Sequence, residues 1–171
     1  CSHMDTPIIF HAMGNKGRDL HTAAASDYFF QKHKYLGHYI HALFRAVPFD
    51  RHGHVIQGIN LLVEVLKQGH AVVFYPEGTR STTGKIQPFK VGVGLLALLS
   101  QASIIPTLVQ GTFDAMPKGT WFPKRGHVSV RFGQPITPEM YLSKVDRIGI
   151  GETCKTLSMD LQTAIEDLNE C

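Results

Sequence analysis

The stretch AVVFYPEGTRSTTGKIQPFK, Ala71 to Lys90, runs an apolar strand straight into a loop that sets an acid and a base around a glycine. The run from Ala71 to Phe74 predicts a strand over 71–75, and Pro76 and Gly78 end it. From about Lys90 to Gln101 the pattern predicts a helix. In open α/β sheets, ligands gather where strand carboxyl ends meet the loops that follow them. Placed there, Glu77 orients a donor, Gly78 lets backbone amides close on a ligand, and Arg80 grips phosphate with its planar fork. The same residues also fit a plain Pro/Gly turn with a surface Glu and Arg, so the block alone leaves both readings open.

Strands and helices alternate on either side of this unit. A short apolar segment, Asp5 to Met13, stops at Gly14, and a small-residue strand ends near Ser26. The segment 27–44 spaces Tyr28, Leu36, Ile40 and Leu43 as an amphipathic helix. A short strand spans 44–50, with Pro48 near an edge or end. The stretch His54 to Gln68 predicts a helix that Gly69 closes in the left-handed conformation. Strands follow over 104–111 and 127–133, then a helix near Glu152 to Asn169. This alternation predicts an α/β fold, a single domain whose mixed, largely parallel sheet is flanked by helices.

The chain has 171 residues, 43% apolar and 18% charged, with a net charge of +3. That length supports one sizeable core, and the composition is globular. The basic surplus is small and no recognition module is visible, so no nucleic-acid partner is expected. Cys1, Cys154 and Cys171 form no paired framework. Histidines His33, His38, His41, His52 and His54 have no carboxylate at a matching offset, so no metal site is expected. No apolar run approaches the roughly 18 residues that span a bilayer. The loop 112–126 mixes Lys118, Trp121, Phe122, Lys124 and Arg125, which suits either a membrane interface or an ordinary exposed loop with one packed Trp.

Tyr75-Pro76-Glu77-Gly78-Thr79-Arg80-Ser81 resembles the FPEGTRS block of the glycerolipid (lysophosphatidic acid) acyltransferases. Companion segments stand in the same order. Arg51 follows an apolar, small-residue stretch as in that family's second block, although Arg45-Ala46 replaces the usual glycine and Pro48 is inserted. Phe89-Lys90-x-Gly92 resembles the F-K-x-G segment after EGTR, and Ile105-Pro106-Thr107 resembles the proline-containing fourth block. The first block, N-H-x-S-x-x-D, aligns Ser2 and Asp5 with its serine and aspartate, which places its histidine one residue before Cys1. Residues 1–171 are therefore expected to form an acyltransferase domain, a fragment of a longer chain that starts just after that histidine.

The resemblance implies transfer of a fatty acyl group from a thioester, on coenzyme A or acyl carrier protein, to the hydroxyl of a lysophospholipid such as 1-acylglycerol-3-phosphate. It implies a catalytic role for Asp5, which would hold the histidine as base. Substrate-binding roles would fall to Ser2, Arg51, Glu77, Gly78, Thr79, Arg80, Lys90 and Pro106. The thioester is a co-substrate, and no other cofactor is expected. A cytoplasmic protein is implied, peripheral at the inner face of a membrane or part of a larger membrane-associated protein, with loop 112–126 as a candidate contact. A noncatalytic phospholipid-binding or regulatory domain, or an acyltransferase for a non-glycerolipid acceptor, remains an alternative.

Overall fold

The structure, a computed structural model, describes residues 4–25, 45–50, 53–79, 81, 83–116 and 124–170. Ser2, His3, Arg51, Arg80, Trp121 and the helix expected over 27–44 lie outside them. The elements are α1 (Asp5–Met13), a 3-10 turn (Gly14–Asp19), β1 (Leu20–Ala25), β2 (Ala46–Phe49), α2 (Val55–Lys67), β3 (Ala71–Val73), α3 (Gly92–Ser100), β4 (Thr107–Gln110), a short helix α4 (Thr112–Ala115), β5 (Ser129–Phe132) and α5 (Glu139–Glu170).

Among the described residues, β1 lies between β2 and β3 in a parallel sheet, with Ala24 opposite Pro48 and Thr22 opposite Val73. Pro48 has no N–H to donate, and the outer position of β2 tolerates that. A second, antiparallel pair joins β4 to β5. The expected mixed, largely parallel architecture flanked by helices is thus present, divided into two sheets.

Three helices fill the space beside and between the sheets. Ile59, Leu62 and Val63 of α2 pack on Ala23, Val47 and Val72 of the parallel sheet. The ring of Phe49 crosses that of Phe74 edge-on at 5.6 Å. A methyl group on Gly58 would lie 2.7 Å from the Phe49 ring, so only glycine lets α2 come this close. Helix α3, GVGLLALLS, is apolar all round because it has neighbours on two sides, α2 and α5. Leu157, Leu161 and Ile165 of α5 complete the core against α3 and β4.

Two elements depart from the sequence reading. Helix α5 begins at Glu139, well before Glu152, and is bent at Gly149, whose φ of 82° places it outside helical geometry. Its two arms are joined by the Tyr141 hydroxyl, which donates to Asp160 at 2.7 Å. Helix α4 occupies the start of a segment read as loop.

The amino-terminal part of β1 carries a pH-sensitive contact. The His21 ring centroid is 4.9 Å from that of His70. Burial, then the neighbouring His70 and Arg45 charges, lower the His21 pKa, opposed by a hydrogen bond to the Arg45 backbone and by Asp19. The unfolded chain therefore binds this proton at higher pH than the folded one. The stability tied to neutral His21 is complete above about pH 6.5 and is lost as pH falls through the lower folded value. Urea midpoints should fall between pH 7.5 and 5.5, and His21→Gln should lose less over that interval than the wild type; equal losses would refute the assignment.

Candidate functional site

The loop after β3 is held by backbone hydrogen bonds as well as by its sequence. The Gly78 N–H donates to the Tyr75 carbonyl at 3.1 Å, with φ of 68° at Gly78. That sign of φ favours glycine at this turn. Twelve residues later the chain returns, and the Lys90 N–H donates to the Pro76 carbonyl at 2.9 Å. The Lys90 side chain lies across Gly78: a methyl group there would meet Nζ at 2.9 Å and Cε at 3.0 Å. Thr79 is exposed and Ser81 is buried beside Thr83.

Glu77 is fixed from the same return segment. Its Oε2 accepts the Gln87 N–H at 2.9 Å. Burial raises the Glu77 pKa, the Gln87 N–H pulls it back, and the Asp5 charge adds to the rise. The Phe89 N–H donates to Gln162 Oε1 at 3.0 Å, which ties the segment to α5.

Asp5 lies in the first turn of α1, where the helix dipole favours a carboxylate, and is 3% exposed. Thr6 beside it shares a 2.8 Å hydrogen bond with the Tyr75 hydroxyl. Asp5 and Glu77 both line a cavity of about 960 Å³, whose walls include Phe74, Phe89, Leu108 and Phe113. Residues of β3 and β4 line the same cavity. Acidic groups beside apolar walls can serve both a polar reacting centre and a hydrocarbon chain.

Of the sequence-derived positions, Asp5 and Glu77 meet at this cavity, and Gly78, Thr79 and Lys90 belong to the adjoining loop. Pro106 is elsewhere: fully buried, it packs near Gly133, whose N–H donates to its carbonyl at 2.8 Å. It does not line the cavity, and a structural role before β4 accounts for its position. Ser2, Arg51 and Arg80 lie outside the described residues. Sequence reasoning missed Thr6, Gln87 and Gln162, which reach the site through tertiary contacts. The one signal was Tyr75, a hydroxyl-bearing ring where the resembling block has Phe. Among the described residues no three His, Cys, Asp or Glu side chains are grouped to hold a metal, and no helix is long and apolar enough to cross a membrane.

Comparison with known proteins follows the same lines. The acyltransferase family profile matches residues 1–110. The 1-acyl-sn-glycerol-3-phosphate acyltransferase of Limnanthes douglasii is 36% identical over 93 residues, 53% of this chain and 33% of that protein. Its counterpart in Bacillus subtilis is 26% identical over 137 residues, 80% of this chain and 64% of that protein. The crystal structure of the 1-acyl-sn-glycerophosphate (LPA) acyltransferase PlsC from Thermotoga maritima superposes with a TM-score of 0.65 over 94% of this chain and 63% of that one, at 24% identity, a likeness of fold. The chain spans about a third of the length of the Limnanthes relative.

Proposed function

Because the chain belongs to the acyltransferase family, we propose that it moves a fatty acyl group from a thioester to the hydroxyl of a lysophospholipid such as 1-acylglycerol-3-phosphate. The observation that carries this reading is the meeting of Asp5 and Glu77 on one cavity with largely apolar walls, beside the Gly78–Lys90 contact. The relatives' acceptor supports the choice of lysophospholipid.

Asp5 holds one nitrogen of a histidine placed one residue before Cys1, and its charge stabilises the imidazolium that forms. The other nitrogen takes the acceptor's hydroxyl proton. The acceptor oxygen attacks the thioester carbonyl, the carbon–sulfur bond breaks, and the departing thiolate receives the proton. Ester and free thiol are the products, with no acyl-enzyme. Arg80, with Arg51 and Lys90, holds the acceptor phosphate, and Glu77 braces the loop that carries Arg80. Apolar cavity walls receive the acyl chain. The thioester, on coenzyme A or acyl carrier protein, is a co-substrate, so the reaction needs no resident cofactor. Long-chain acceptors reside in bilayers, so the chain works peripherally at a membrane surface or as part of a larger membrane-associated protein, with loop 112–126 as a candidate contact.

The test is thiol release from acyl-CoA and acyl carrier protein donors with lysophosphatidate, using the enzyme with Asn-His ahead of Cys1. Turnover is expected, with Arg80→Ala raising the acceptor KM roughly 10- to 100-fold, as loss of hydrogen bonds to a charged group does. An unchanged KM would remove Arg80 from the phosphate site. Binding of lysophosphatidate without turnover of any donor would favour a phospholipid-binding domain, and turnover only with other alcohols a different acceptor.

A further inference from the structure

We propose that the hydrogen bond between the Thr6 and Tyr75 hydroxyls is a positioning device, registering the Asp5 end of α1 on the Glu77 loop during acyl transfer; it rests on the function proposed above. The two oxygens are 2.8 Å apart although their residues are 69 apart in sequence. Each stands next to a group used in the reaction. Thr6 follows Asp5 directly, and Tyr75 precedes Glu77 by two residues. Helix α1 also packs on the 3-10 turn after it and on β5, and the Thr6–Tyr75 pair adds a directional link to the segment that follows β3.

The hydroxyl is suited to the task. Burial raises the Tyr75 pKa far above its ordinary value, the Thr6 hydrogen bond pulls it back in part and the Asp5 charge adds to the rise, so the group keeps its proton. A buried hydroxyl without a partner costs stability, which gives the pair a reason to stay closed. The ring alone would fill the same space, as Phe does in the block that this loop resembles. The extra oxygen therefore adds a directional contact rather than bulk. Proton transfer and nucleophilic attack depend steeply on alignment, and displacements of about 1 Å cost up to 10²-fold. A bond that holds the orienting carboxylate against the phosphate-side loop acts on that alignment.

Tyr75→Phe and Thr6→Val in the full-length enzyme test this. Each should lower kcat roughly 3- to 10-fold, the usual worth of one neutral hydrogen bond, with the acceptor KM within about twofold. Thr6→Ser should restore the rate. The double variant should lose no more than the worse single one, because both remove the same bond. The acid limb of the kcat–pH profile should also move, since a displaced Asp5 stabilises the imidazolium less. Unchanged kcat in Tyr75→Phe, or a fall matched only by thermal unfolding with the pH limb fixed, would overturn the proposal while leaving acyl transfer intact. A wild type that transfers no acyl group would overturn the function and this role together.

Discussion

Asp5→Asn should lower kcat by about 10²- to 10⁴-fold in the enzyme with its motif histidine in place, with the acceptor KM nearly unchanged. The substitution keeps the side chain's shape in a site where Asp5 is only 3% exposed, so the fold has no reason to fail. What it removes is the charge. An imidazole that has taken the acceptor's proton becomes a cation, and a neutral amide does not stabilise it. The amide also offers an N–H where the histidine needs an acceptor, which favours the wrong tautomer. Phosphate binding, proposed for the loop after β3, should stay. Steady-state kinetics with lysophosphatidate varied at saturating donor would measure both constants, with a thermal melt as control. A loss below tenfold would show that Asp5 does not orient the base.

The parts of this molecule that could be read from sequence are those where local pattern and tertiary role coincide. Helix α2 has its buried Ile59, Leu62 and Val63 at helical spacing, and the loop from Tyr75 to Thr79 shows its turn in Pro76 and Gly78. Strand β2 kept Pro48 because its place at the side of the described sheet spares the missing N–H. The first arm of α5 was illegible for the opposite reason. Only Tyr141 and, one turn on, Val145 reach the core there, while Met140, Leu142 and Ile148 are exposed, so the buried stripe is too short to mark a helix, and Gly149 and Gly151 look like a terminator rather than a bend. Helix α4 is too short to show a period. The division of β3 and β4 between two sheets rests on tertiary packing, which no local pattern encodes.

The site divides in the same way. Asp5, Glu77, Gly78 and Lys90 fall in short linear blocks whose chemistry is visible residue by residue. Their arrangement is visible only in three dimensions. Lys90 lies over Gly78 because the segment between them is held by the Glu77–Gln87 bond and by Gln162 from α5. Both carboxylates line one cavity, and the rise in the Glu77 pKa, due first to burial, includes a contribution from the Asp5 charge. A substrate phosphate would add still more negative charge, so in the proposed site Arg51, Arg80 and Lys90 would serve electrostatic balance as well as grip.

Gly94→Ala should be among the most damaging small changes to the fold. Gly94 faces Cys154 where α3 crosses α5, and an added methyl carbon would come within 2.8 Å of the Cys154 Cα and 2.9 Å of its carbonyl carbon, closer still to its oxygen. These are backbone atoms of a helix, so no rotamer can yield, and the two helices must separate. Overpacking of this kind costs about 3 kcal/mol or more when the obstacle is rigid. In a chain of this size that corresponds to a fall in Tm of roughly 6–12 °C. Separation would also withdraw α3 from Leu157 on one side and Ile59 on the other, opening both clusters that bury it. Gly151→Ala is the control: it lies in α5, and nothing stands within 4 Å of the added methyl. Alanine there should raise stability by up to about 1 kcal/mol through helix propensity. Thermal and urea melts of the two variants should therefore move in opposite directions. Equal Tm values would mean that α3 and α5 do not pack at this distance. The result reaches the site as well, because α3 begins two residues after Lys90, and a displaced α3 would draw that lysine away from Gly78.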